Sequence, residues 1–167
     1  MDNLMARVVE KIQQRQTQFH QVVYSETLNA PEIQVFIDNA NVDVMTTPLN
    51  FLRDLYQLNS DNDWVKWVMK GFEYDIQFRF EVSDEVSRFI PIKMIRDWPL
   101  LFVVDAKRPV YSLEEHVISR GRIAQLPDQS VVVLLRNQNL TSEAADLVRS
   151  KDIQLQVRND AECIWQK

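Results

Sequence analysis

The stretch from Val131 to Val157 restricts the fold more than any other part of the chain. Val131 to Leu135 is an unbroken apolar run, as expected of a strand buried on both faces. Thr141 then stands as a helix cap, with Ala144, Ala145, Leu147 and Val148 apolar before Arg149. Ile153, Leu155 and Val157 follow, alternating with Gln154 and Gln156, the pattern of a half-buried strand. Strand, helix and strand within about thirty residues make a βαβ unit, which is parallel and right-handed. The fold class this implies is mixed α/β (α+β), a central sheet with helices packed on it and a carboxy-terminal βαβ unit.

Upstream, the amino-terminal segment reads as an amphipathic helix. At helical spacing Met1, Leu4, Met5, Val8, Val9, Ile12 and Phe19 fall within a ~140° arc. Arg15 and Gln16 intrude on that arc, so the stripe is cleanest over the first three turns. Residues 1–24 are therefore taken as a helical segment, a polar stretch from Ser25 to Pro31 as a linker, and 31–167 as one globular domain. The stripe has two readings: packing into the core, or docking in a groove on another protein. Its polar face carries mixed charge, which argues against a membrane surface.

Between these ends, Ile33 to Asp38 and Val42 to Met45 read as strands, and Pro48 to about Leu58 as a helix. Ser60 is the expected cap of the next helix, Trp64, Trp67 and Val68 its apolar face, and Gly71 its carboxyl cap. Tyr74 to Phe80 alternates clearly as a strand. Ser83 to Ile95 reads as short helical pieces broken by Pro91, Leu100 to Val104 as a short strand, and Asp105 to Pro109 as a turn into a strand at Val110 and Tyr111, the pair being a hairpin candidate. Leu113 to Ile118 fits either class.

The sequence says more about what the protein does not carry. Only two glycines are present, Gly71 and Gly121, so neither a P-loop nor a dinucleotide fingerprint can be written. The net charge of -5 opposes general nucleic-acid binding. No apolar run approaches the ~20 residues of a membrane span, and the amino terminus does not read as a secretory signal. A single cysteine, Cys163, fits a reducing, cytoplasmic compartment.

Candidate chemistry is sparse. Glu114, Glu115 and His116 are adjacent, and adjacent side chains diverge on helix or strand, so they do not chelate as one face. A pair of Cys163 with His116 is formal only. Trp64 and Trp67, three apart on a helix, fit core packing better than a ligand surface. The expectation is no catalytic residue, no cofactor and no metal. Charge clusters along the chain: residues 26–63 hold seven acids and one base, residues 86–125 seven bases and four acids. Either this makes opposed surface patches or the charges mix in space. A small-molecule site, if the chain had one, is expected at the carboxyl ends of the parallel strands near Asn137 to Thr141.

Three segments carry a resemblance. They are the run from Phe89 through Ile90-Pro91-Ile92-Lys93 and Asp97-Trp98-Pro99 to Phe102, then Ser119-Arg120-Gly121-Arg122, then Asp152-Ile153-Gln154-Leu155. In this order they resemble the propanediol-utilisation protein M (PduM-like) family of bacterial microcompartment proteins, whose members also begin with an amphipathic segment. The resemblance implies a non-enzymatic assembly protein whose partners are shell or cargo proteins, located in or on the compartment. It brings no catalytic residues. Its candidate contact positions are Leu4, Met5, Val8 and Ile12 on the helix, and Lys93, Arg120 and Arg122 among recurrent basic positions, for which ion pairing within the fold is the alternative.

Overall fold

The computed structural model describes residues 2–159. Cys163, Trp165 and Met1 lie outside the described residues. The chain divides into two compact units, Met1–Glu81 and Val82–Lys167, each built of mixed α/β structure.

The first unit begins with α1 (Asp2–Thr17) and continues after one residue into β1 (Phe19–Val23). Residues 19–23 are thus strand and not the end of a helical segment running to residue 24. Val22 and Val23 are β-branched and favour the pleat, and β1 pairs along its length with β2 (Asn41–Met45), Phe19 opposite Asn41 and Val23 opposite Met45. β2 pairs in turn with β3 (Gln77–Val82), again in parallel. Between β1 and β2 lies α2 (Gln34–Asp38), where the short apolar run suggested a strand. Such a run is too short for periodicity to separate the two. Tertiary packing decides it, since one helical turn presents Phe36 inward against Trp67, ring centroids 4.7 Å apart.

α3 (Leu49–Tyr56) follows Pro48, which occupies its N-cap. α4 (Asp63–Glu73) is capped by Asn62, whose side chain accepts from Trp64 N, rather than by Ser60. The three helices meet the sheet on one side. Phe51 lies against Phe80, and Phe36, Trp67 and Phe72 against Phe78. Gly71 is not a carboxyl cap; Tyr74 is. It lies inside α4 because the Phe78 ring presses on the helix there, and Phe36 Cζ stands 3.2 Å from where a Cβ would be.

The second unit opens with α5 (Asp84–Ser87) and α6 (Ile92–Asp97), separated at Pro91. β4 (Leu100–Val104) and β5 (Arg108–Ser112) form an antiparallel hairpin. Its turn closes through Lys107 N donating to Val104 O at 3.0 Å, with Asp105 and Ala106 both left-handed at φ 50° and 57°. That is the primed turn whose twist matches the strands. β6 (Val117–Ile118) and α7 (Arg120–Ala124) lead to β7 (Val131–Leu135), a short β8 (Asn139–Leu140) that pairs with β6, α8 (Ser142–Ser150) and β9 (Gln154–Arg158). β7, α8 and β9 form the expected parallel βαβ unit, with β7 between β5 and β9. Thr141 caps α8 by accepting from Ala144 N at 3.2 Å.

The pleat of β9 runs opposite to its hydrophobic pattern. Gln156 is buried, while Leu155 and Val157 are exposed. The amide is accommodated by Ser87 of α5, whose Oγ accepts from Gln156 Nε2 at 3.0 Å. Arg158, on the same face, donates to the carbonyls of Ser87 and Ile90 and so holds the amino-terminal helical pieces of this unit onto its last strand.

Candidate functional site

Every residue of α1 from Leu4 to Gln14 is exposed. The apolar stripe is therefore not part of the core. Leu4, Met5, Val8 and Ile12 all face solvent, Met5 at 74% of its full exposure. The helix is held at its carboxyl end. Arg15 donates to Phe36 O at 3.1 Å and Tyr74 O at 3.4 Å, Ala40 N donates to Arg15 O at 2.9 Å, and Asn41 Nδ2 donates to Gln16 O at 2.8 Å. Carbonyls that the last helical turn leaves unpaired are thus satisfied by the body. The arginine that breaks the sequence stripe is the residue that fastens the helix.

The basic positions separate. Lys93 is exposed on α6, close enough to add to the pull of Arg96 on Asp97. Arg96 Nε donates to that carboxylate at 2.7 Å, and this bond first of all holds Asp97 below the usual carboxylate range. Arg120, first residue of α7, is exposed and borders a shallow depression with Glu143, Asp146, Leu147 and Ser150. Arg122 is ion-paired with Glu115 at 2.6 Å, so part of its charge is spent inside the fold.

Glu114, Glu115 and His116 diverge, as adjacency demands. Glu114 reaches Arg96 at 3.2 Å, Glu115 pairs with Arg122, and His116 Nδ1 donates to Asn137 O at 3.0 Å. Among the described residues no group of three His, Cys, Asp or Glu is placed to hold a metal ion, and no helix is long and apolar enough to cross a membrane. Trp64 and Trp67 are both buried.

The loop from Asn137 to Thr141 is stitched rather than open. Gln138 accepts from Leu135 N at 2.8 Å and donates to Leu113 O at 2.7 Å, while Thr141 is committed as a cap. A cleft of about 440 Å³ lies instead in the first unit, beyond the carboxyl ends of β1 and β2. Four carboxylates (Glu26, Asp54, Asp61, Asp63) and four carboxamides (Asn29, Asn50, Asn59, Asn62) line it, with Tyr24 and Trp64. Here four of the seven acids of residues 26–63 converge in space, while Glu32, Asp38 and Asp43 do not join them. Burial first, then the charges of Glu26 and Asp54, push the Tyr24 phenol above its ordinary pKa. Sequence reasoning missed this cleft, because its residues come from two loops and from α3 and α4, with no motif in common.

A family model described as "PDU_like: Putative propanediol utilisation" matches residues 3–154. The chain belongs to this propanediol-utilisation family. The match takes in the Phe89–Phe102 and Ser119–Arg122 segments that carried the resemblance. It also spans residues 26–85, outside the segments that carried the resemblance. Neither the curated proteins nor the solved structures contain a significant match to this chain. Membership places the protein among propanediol-utilisation proteins and assigns no reaction or partner to any residue.

Proposed function

We propose that the protein is a non-enzymatic assembly protein of a bacterial microcompartment, cytoplasmic in or on the particle, which links shell or cargo proteins. The observation that carries this reading is the exposed stripe of Leu4, Met5, Val8 and Ile12 on a helix fastened at Arg15. Covering those four side chains yields about 4–8 kcal/mol gross, much of which is returned as lost translational and side-chain freedom. A single contact is therefore weak, and many copies on a repeating shell supply the rest by avidity. Lys93 and Arg120 on the second unit offer the body a contact of its own, with Arg122 contributing less because Glu115 already holds it.

The test is a Leu4→Asp/Val8→Asp double variant, examined for co-purification with assembled shells. Retained folding with lost co-purification is the expected result. Unchanged co-purification of the folded variant overturns the reading.

The acidic cleft beside Tyr24 favours a second reading, a small-molecule-binding accessory protein of the same pathway. A thermal-shift screen with pathway metabolites and nucleotides separates the two. A reproducible rise in Tm that Asp54→Asn abolishes would establish the second reading.

A further inference from the structure

The helix is not the only apolar surface left open in the first unit. Strand alternation puts Phe78 and Phe80 on the side that α2, α3 and α4 cover. Phe19, Gln21 and Val23 of β1, Asp43 and Met45 of β2, and Arg79 of β3 fall on the other side. Phe19 is 56% and Val23 66% exposed there. Parallel sheets are found almost solely with both faces covered, so a face left open along β1 and β3, with Asp43 buried at its centre, is an unmet requirement. An isolated helix of sixteen residues is itself marginal in water without tertiary packing. Each surface lacks what the other provides.

They cannot meet within one chain. Gln18 alone separates Thr17 from Phe19, whereas a helix that turns back over the sheet needs a connection of about 2–6 residues. Arg15, Gln16 and their partners Phe36, Ala40 and Asn41 further fix the last helical turn at the amino-terminal ends of the strands. A second copy is free of this constraint. The five exposed apolar residues of the stripe, with Phe19 and Val23, amount to on the order of 800 Å² per chain. Burial in a reciprocal pair then totals about 1,600 Å², the size of an ordinary stable interface. Asp43 and Arg79 neutralise each other on this face, which leaves Glu81 as its one further charge, set against Arg7 and Lys11 of the helix.

We propose that α1 of one copy covers the bare β1–β2–β3 face of a second copy, and the reverse, in a two-fold dimer. Resting on the docking role of α1, this dimer is also the unengaged form, in which the helix is withheld until shell or cargo displaces it.

The experiment uses the full chain with Val8→Asp on the helix and Val23→Lys on the sheet face, both at exposed positions, with circular dichroism as the folding control. Sedimentation velocity over a series of micromolar concentrations reads the association. The expected result is a wild-type dimer whose dissociation constant rises roughly tenfold or more in each variant. A monomeric wild type overturns the proposal, as does a dimer weakened by Val8→Asp and untouched by Val23→Lys, which would mean helix paired with helix. Shell co-purification separates this from the docking role. Val23→Lys frees the helix and binds shells at least as well as wild type. A monomeric wild type that still binds shells sinks the dimer alone. A dimer whose Val8→Asp variant still binds shells sinks the docking role alone.

Discussion

Asp43 and Arg79 stand opposite each other across β2 and β3, and the buried carboxylate receives both Nε, at 2.8 Å, and a terminal nitrogen of the guanidinium. The guanidinium also lies over the Phe19 ring, 5.0 Å from its centroid. One side chain thus bridges all three strands of the first unit.

Arg79→Met leaves the Asp43 carboxylate buried without its cation. Because Arg79 is itself 44% exposed, water recovers part of the loss, and the expected cost is about 2 kcal/mol. The double variant Asp43→Leu/Arg79→Met recovers most of it. Urea midpoints at unchanged m-value give both numbers.

Gly71→Ala tests the close approach in α4. An exposed helical glycine gains about 1 kcal/mol from this substitution. Here the new methyl runs into the Phe78 ring, whose own neighbours Phe36, Trp67 and Phe80 leave it little room to yield. The expectation is a net loss of about 1–3 kcal/mol in chemical denaturation.

Ala106→Gly acts in the other direction. Ala106 holds φ 57° in the β4–β5 turn, a conformation that penalises its Cβ. Relief of that strain raises stability by about 0.5–1 kcal/mol, read as a higher Tm.

The stripe and the core should respond differently to truncation. Val8→Ser changes the stability of dilute monomer by no more than about 0.5 kcal/mol, because its side chain is exposed on the helix and outside the core. Leu55→Ala, fully buried in α3, costs about 2–5 kcal/mol. Equal losses at the two positions would place α1 in the core.

Tyr24 supplies a pH signature. Its phenol is pushed above the ordinary value of 10.0, by burial first and by Glu26 and Asp54 next. The folded state therefore favours the protonated phenol. This contribution to stability is complete below the unfolded pKa of about 10 and is lost as pH rises through the higher folded value. Denaturation midpoints should fall above pH 10 less steeply in Tyr24→Phe than in wild type.

The βαβ unit was legible because β7 is apolar on both faces and Thr141 is an unambiguous cap, so burial and local chemistry agree. β9 was legible as a strand but not in its orientation. Alternation ranks Gln156 outward on hydrophobicity, and the Ser87 hydroxyl that accommodates it is sixty-nine residues away. α2 and Gly71 escape sequence reasoning for the same reason, since α2 depends on Trp67 meeting Phe36, and Gly71 on the Phe78 ring, in both cases a partner from another element. Of the candidate docking residues, Leu4, Met5, Val8 and Ile12 were readable as a stripe, because periodicity records which residues share a side. Whether that side met solvent was not readable, because it turns on Arg15 finding the carbonyls of Phe36 and Tyr74.

With Gln18 alone between α1 and β1, little slack separates the helix from the sheet. Tension on a captured α1 passes straight into β1, along the direction of its ladder with β2. Parallel strands pulled this way are sheared, so their cross-strand bonds share the load instead of parting one after another. In the docking role proposed above, a grip built like this withstands brief tugging even where each individual contact is weak.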